Sequence, residues 1–171
     1  NPINLNSDEE YRFFKELSPD IVIVVAYGQI IPKKFLNISR FGFINIHASL
    51  LPKWRGAAPI QRAIMNGDKK IGVSIMKIKE KLDSGPVLIS KEIELDENVT
   101  HGEMEKKLSL MGADLLIDSL KNIEASTSKF IDQKHSEATY AKKIDKSETK
   151  INWNQDSNKV LSHIHGLSPN P

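Results

Sequence analysis

The chain alternates between stretches whose apolar residues recur every three or four positions and short runs that are apolar throughout. Ser7 and Glu10 have the spacing of a capping box, in which side chains satisfy the free amides at a helix start. Tyr11, Phe13, Phe14 and Leu17 then recur at helical spacing, and Pro19 ends the run. Residues 21–27 read IVIVVAY, continuous and rich in β-branched side chains, which is the pattern of a strand covered on both faces. Gly28 breaks that strand, and a short helix is expected over 33–38. Residues 43–49 predict a second strand and 58–66 a helix closed by Asn66 and Gly67. Strands are expected over 71–79 and 87–95, around a turn holding Asp83, Ser84, Gly85 and Pro86. Thr100 and Glu103 repeat the capping-box spacing ahead of a long helix that turns Met104, Leu108, Met111, Leu115 and Ile123 inward. Residues 125–152 are polar and lysine-rich with no clear period, and 157–165 fit a last short helix. Alternating helices and buried strands predict an α/β domain with a mostly parallel twisted sheet flanked by helices, its ligands gathered at the carboxyl ends of strands.

Composition narrows the classes. A chain of 171 residues, 39% apolar and 27% charged, has room for one domain with a sizeable core. It has no cysteine, which excludes a disulfide framework and any thiolate metal site. Its longest apolar run is far too short to cross a bilayer and no signal peptide is recognisable, so a cytoplasmic protein without membrane attachment is expected. The net charge of +2 is uneven: Lys53, Arg55, Arg62, Lys69, Lys70, Lys77, Lys79 and Lys81 share one stretch with only Asp68, Glu80 and Asp83. That excess suits either a solvated surface or a phosphate backbone. The first residue is Asn1 rather than methionine, and Pro171 follows a linker-like run. An internal piece of a longer protein is therefore expected, with 1–150 forming one domain and 151–171 beginning a linker.

The candidate chemistry sits on the second strand. A two-residue period puts Phe43, Asn45, His47 and Ser49 on one face, with Asn45 and His47 about 7 Å apart. Polar groups on a core strand cost roughly 1 to 3 kcal/mol each unless paired, so two near the strand's end need a reason. A structural hydrogen-bond network is one reason and a reactive site is the other. Ser49, Leu50, Leu51 and Pro52 leave the strand, and Trp54, Arg55 and Gly56 lead toward Pro59, which suits a first helical turn. His101 and His135 read as surface residues, while His163 and His165 have no evident partners for a metal. No Gly-x-Gly-x-x-Gly occurs, so a dinucleotide loop has no support.

The run INIHASLLPKWRGAAPIQRAI, residues 44–64, resembles the signature of folate-dependent formyltransferases, with Asn-x-His ahead of Ser-Leu-Leu-Pro. The expected aspartate is present as Asp83 within Leu82-Asp83-Ser84-Gly85. Residues 54–61, WRGAAPIQ, are similar to the branch of the family that acts on methionyl-tRNA, supported by AYGQIIP over 26–32 and TYAKKI over 139–144. The resemblance spans nearly the whole chain. It implies a Rossmann-like formyltransferase fold whose N-terminal strands, and a C-terminal β-barrel domain, lie outside this sequence. It implies transfer of a formyl group from 10-formyltetrahydrofolate to the α-amino group of methionyl-initiator tRNA, for translation initiation, by an enzyme of bacterial or organellar-matrix type that is monomeric at full length and needs no metal.

The roles follow from the same resemblance. Asn45 and protonated His47 are to donate to the developing oxyanion, and Asp83 is to pair with His47 and receive the amine's proton. Tyr27, Gln29, Ile30, Ile31, Ser49, Leu50, Leu51, Pro52 and Leu82 are to line the folate's flat ring. Arg55 is the candidate contact to the tRNA end. The alternatives are a formyltransferase acting on a small amine, such as an amino sugar or glycinamide nucleotide, and a non-catalytic module that binds folate or RNA.

Overall fold

The structure is a computed structural model that describes residues 5–170. Asn1, Pro2 and Pro171, at the edges of the expected domain and linker, lie outside the described residues. The elements run α1 (Asp8–Glu16), β1 (Val22–Val24), α2 (Lys33–Leu36), β2 (Phe43–His47), β3 (Arg55–Gly56), α3 (Pro59–Asn66), β4 (Lys70–Lys77), β5 (Val87–Glu94), α4 (His101–Glu124), β6 (Tyr140–Ala141) and α5 (Ser157–Gly166). No helix among the described residues is long and apolar enough to cross a membrane.

Four strands form one sheet in the order β1-β2-β4-β5, and β3 pairs with β6 in a second, two-stranded sheet. The α/β architecture matches the expectation, but the sense of pairing corrects it. Within the larger sheet only β1 and β2 run parallel; β2–β4 and β4–β5 are antiparallel. For β4–β5 the connection is too short to hold a crossover helix and so returns the chain beside itself, whereas β2 and β4 are antiparallel with α3 between them.

One face of the sheet carries the core. Ile71, Val73 and Ile75 alternate along β4 and are fully buried with Ile44 of β2 against Met104, Leu108, Leu115 and Ile123 of α4. Gly112 lets α4 come close, since a Cβ there would stand 2.9 Å from Cγ2 of Ile46. The inward face of α4 is the one its periodicity predicts, and Thr100 with Glu103 closes a complete capping box at its start. On the opposite face, α1 and α2 cover only the beginning of β2: Phe14 stacks 5.8 Å from Phe43 and 5.6 Å from Phe35. Asn45 and His47, further along β2, are left to the segments that follow it.

Two expectations need correction. The strand expected over 21–27 ends at Val24, because Ala26 turns at φ +46° and Val25 is exposed. Phe13 and Leu17 point outward, so α1 buries only its Tyr11 and Phe14 side. The last short helix expected over 157–165 is α5, which lies against α3 closely enough that a Cβ on Gly166 would meet Cγ of Met65 at 2.5 Å. Ser168 is tied back as well, its carbonyl accepting from the Gly102 amide at 3.0 Å.

The polar stretch after α4 is fastened to α3 by Arg62, whose Nη1 and Nη2 donate to the two carboxylate oxygens of Glu148 at 2.6 and 2.9 Å. This hydrogen-bonded pairing lowers the Glu148 pKa from the ordinary 4.5 to about 2. A depressed carboxylate stabilises the fold above its unfolded pKa and loses that contribution as pH falls through the folded one. Glu148→Gln is therefore expected to lower the urea midpoint modestly at pH 7, with the difference from the parent shrinking between pH 4.5 and 2. Urea titrations of both proteins across that range check it; a gap that held constant down to pH 2 would place the effect elsewhere.

Candidate active site

Asn45 and His47 stand on the same face of β2, and β1 ends beside them, with Val24 in register with Asn45. His47 is buried, and its Nε2 lies 2.9 Å from the carbonyl oxygen of Trp54. A carbonyl only accepts, so Nε2 carries the hydrogen and Nδ1 is the nitrogen turned to Asp83. The Nδ1 to Oδ2 separation is 3.8 Å, an ion-pair distance but too long for a direct hydrogen bond.

The backbone around these groups is bent to present them. Trp54 adopts φ +58°, an uncommon conformation for so large a side chain, and it aims its carbonyl at His47. It is held there by its amide on Oγ1 of Thr139 at 2.9 Å and its indole Nε1 on Oδ2 of Asp68 at 2.7 Å. Asp83 also lies in the left-handed region, at φ +44°. Its Oδ2 accepts from the Gly56 amide at 2.8 Å, so β3 positions the carboxylate. Gly85, two residues on, passes so close to the Lys77 carbonyl that no Cβ fits. That close approach is the physical reason for glycine in the Asp83-Ser84-Gly85 turn.

The carboxamide of Asn45 makes no hydrogen bond among the described residues, and the residue is only half-buried. The serines that follow it on this face of the sheet are engaged. Ser49 is buried and donates to the Lys53 carbonyl at 2.6 Å, so its hydroxyl serves the turn rather than a cleft. The Leu51 amide donates to Oγ of Ser74 at 3.1 Å, fixing the Ser49-to-Pro52 segment on β4. Tyr27 and Ile31 are half-buried beyond β1, while Gln29, Ile30 and Leu82 are exposed together with Val25. An ion pair of 2.7 Å between Lys33 and Glu80 ties α2 to the loop carrying Leu82 and Asp83.

Not all expected residues meet at one cavity. Ser49 and Leu50 line a cleft of about 380 Å³ with Trp54, Asp68 and Ile71, away from His47 and Asp83. A larger cleft of about 760 Å³ runs beneath the Asp83 loop, between Lys33, Arg40, Lys79, Lys81 and His135.

Arg55 is placed differently from the expectation of a contact to a tRNA end. It is 3% exposed, and its Nε and Nη2 donate to Oε1 of Gln133 at 3.1 and 2.7 Å. Nη2 also donates to Nδ1 of His135 at 3.0 Å. A guanidinium so occupied cannot reach outward without breaking three charge-assisted bonds. Gln133 continues the chain of bonds through Nε2 to the carbonyls of Asp83 and Gly85, at 2.9 and 2.7 Å. Sequence reasoning missed Gln133 because one glutamine in an aperiodic polar stretch carries no pattern. The basic stretch is also divided: Arg62, Lys69 and Lys70 pair with Glu148, Glu97 and Glu92, whereas Lys53, Lys79 and Lys81 make no ion pair among the described residues. His163 and His165 face the carbonyls of Glu148 and Glu97 at 2.8 and 3.1 Å, and His101 is half-buried, which lowers its pKa.

Gly56 joins the two halves of this arrangement at φ +119°, where a Cβ would stand 2.6 Å from the Ala141 carbonyl oxygen. Gly56→Ala is expected to cost about 2 kcal/mol or more in stability and to displace the amide that holds Asp83. Denaturant unfolding measures the cost, and an unchanged midpoint would mean the β3–β6 contact yields easily.

Residues 2–120 match the formyl transferase family. Over 163 residues the chain is 52% identical to the methionyl-tRNA formyltransferase of Pelagibacter ubique, covering 95% of this chain and 53% of that protein. The methionyl-tRNA formyltransferase of Bartonella henselae is 48% identical over 170 residues, covering 99% and 55%. The chain thus spans about half the length of the curated relatives it matches. Among solved structures, a sugar N-formyltransferase from Shewanella superposes with a TM-score of 0.82 at 25% identity, covering 97% of this chain and 67% of that one. HypX from Aquifex aeolicus, in complex with tetrahydrofolic acid, superposes at 0.80 with 20% identity, covering 94% and 28%, which supports the fold alone.

Proposed function

The chain belongs to the formyl transferase family, and from that premise we propose that its protein transfers a formyl group from 10-formyltetrahydrofolate to the α-amino group of methionyl-initiator tRNA. The observation that carries the reading is the convergence of Asn45, His47 and Asp83 at the end of β2, with an unpaired carboxamide beside a paired imidazole and carboxylate. The tRNA acceptor rests on the names of the relatives at 48 to 52% identity. The folate rests on the family and on the exposed apolar residues Val25 and Leu82, chain neighbours of Val24 and Asp83 at the site, which suit a flat heterocycle.

The folate supplies the formyl carbon and a nitrogen able to leave. Asn45 donates its amide hydrogen to the formyl oxygen as that atom gains negative charge. His47, with Nε2 fixed on Trp54, exchanges a proton only through Nδ1, the side facing Asp83. The His47–Asp83 pair takes up the amine's one proton as the new carbon–nitrogen bond forms. That proton is returned to the folate nitrogen when the old bond breaks, so the pair ends as it began. Arg55 serves the site from beneath and leaves the tRNA to exposed cations such as Lys79 and Lys81. Residues 5–150 hold all these groups, and they form the catalytic domain in this reading, with 151–171 leading out of it. The acceptor is tested by steady-state transfer to methionyl-initiator tRNA and to an amino-sugar nucleotide in parallel. Preference for the sugar would move the assignment to the small-amine branch.

His47→Ala and Asp83→Asn are each expected to lower kcat on the order of a hundredfold, and the double variant little further, because both serve one proton transfer. Asn45→Ala should cost roughly 3 kcal/mol of transition-state stabilisation. Rates at saturating folate decide it: losses that multiply in the double variant would show two independent residues. In a folded protein, a binding-only module would show no turnover to lose.

A further inference from the structure

Gln133 is 9% exposed, and its carboxamide has no bonding capacity to spare. Its two N–H groups donate to the carbonyls of Asp83 and Gly85, and its oxygen accepts both bonds from Arg55. Two donors and two lone pairs are all that a primary amide has. The orientation is therefore set, since a reversed amide would aim hydrogens at a guanidinium and oxygen at two carbonyls. The bonds from Nε2 bracket the turn at Asp83, whose left-handed backbone needs a restraint. The carboxylate of the same residue is held by the amide of Gly56, the neighbour of Arg55 in β3. Backbone and carboxylate of Asp83 are thus fastened to one two-residue strand, by Gln133 on one side and Gly56 on the other.

We infer that Gln133, backed by Arg55, is a positioning residue of the transfer reaction that sets the distance between the Asp83 carboxylate and His47. Its catalytic consequence rests on the formyl-transfer reading above; its geometric content does not. Side chains that fill a core act on the whole fold, but the Gln133 carboxamide bonds only to Arg55 and to the Asp83 turn. A relaxed loop moves a carboxylate that stands 3.8 Å from Nδ1, and displacements of about 1 Å are enough to cost up to a hundredfold in rate.

The discriminating variant is Gln133→Glu in the full-length protein. It keeps the shape and gives Arg55 a carboxylate partner, but it has no hydrogen to donate to Asp83 and Gly85. The expected result is a kcat about tenfold lower in a protein that still folds, with a lowered unfolding midpoint because an oxygen now faces two carbonyls. Hydrogen exchange should quicken at the Gly56 amide and over residues 82–86, with α4 unchanged. In an Asp83→Asn background the same substitution should cost less than about twofold, because the group it positions is already disabled. Unchanged exchange at Gly56, or a loss that multiplies in that background, would overturn the inference. Should Gln133→Glu not fold, Gln133→Asn, which withdraws the amide by one bond, carries the same comparison. If the parent transfers no formyl group to methionyl-tRNA, the functional reading fails alone, and the exchange measurement still decides whether Gln133 holds Asp83.

Discussion

Gly56 meets the backbone of Ala141 so closely that no side chain fits between them, and the site depends on that contact. The parallel pairing of Arg55–Gly56 with Tyr140–Ala141 is only two residues long. It nevertheless fixes three things at once. It turns the Gly56 amide to the Asp83 carboxylate, buries Arg55 where Gln133 can receive it, and brings Thr139 under the strained Trp54. So short a ladder has little stability of its own. Its neighbours supply the rest: the Ala57 amide donates to the Ala141 carbonyl at 2.8 Å, and the Arg55 amide to that of Thr139 at 2.9 Å.

This arrangement explains how ionisable groups are kept in a mostly buried place. A buried charge is tolerated when partners satisfy it, and lone burial costs several kcal/mol. Arg55 has a glutamine and a histidine, Asp83 has a backbone amide and an imidazole, and His47 has a carbonyl. The partners are largely backbone atoms of turns, which are rigid only because the turns are themselves bonded. Left-handed backbone at Trp54 and Asp83 is the conformational cost of pointing a carbonyl and a carboxylate at the same imidazole.

Much of the scaffold was legible from periodicity, because β4, α3 and α4 owe their form to their own apolar pattern. The helix over 101–124 and its Thr100–Glu103 cap are examples. Asn45, His47 and Asp83 were legible as a set only through a signature, since Asp83 is distant from β2 in sequence and spacing alone gives it no partner. The sense of strand pairing was misread because buried parallel and antiparallel strands share one composition. The length of β1 was misread because its turn at Ala26 comes from backbone geometry, without the glycine that usually announces one. Gln133 and the β3–β6 pairing were invisible for a related reason. Their value lies in contacts across about eighty residues, and nothing local marks them.

Asn45 is the exception in this network, and the exception is informative. Around it, side chains that could react are instead consumed: Ser49 by Lys53, Ser74 by Ser49 and Ser90, Arg55 by Gln133. Its own carboxamide is half-buried and reached by solvent, so water satisfies it at little cost. A donor in that state can exchange water for a developing oxyanion without reorganising the protein, which is what makes fixed dipoles effective. A donor already bonded to the scaffold would have to break that bond first. The division between spent and unspent polar groups therefore separates what holds the site from what meets the substrate. Asn45 and the Nδ1 edge of His47 fall on the second side of that line.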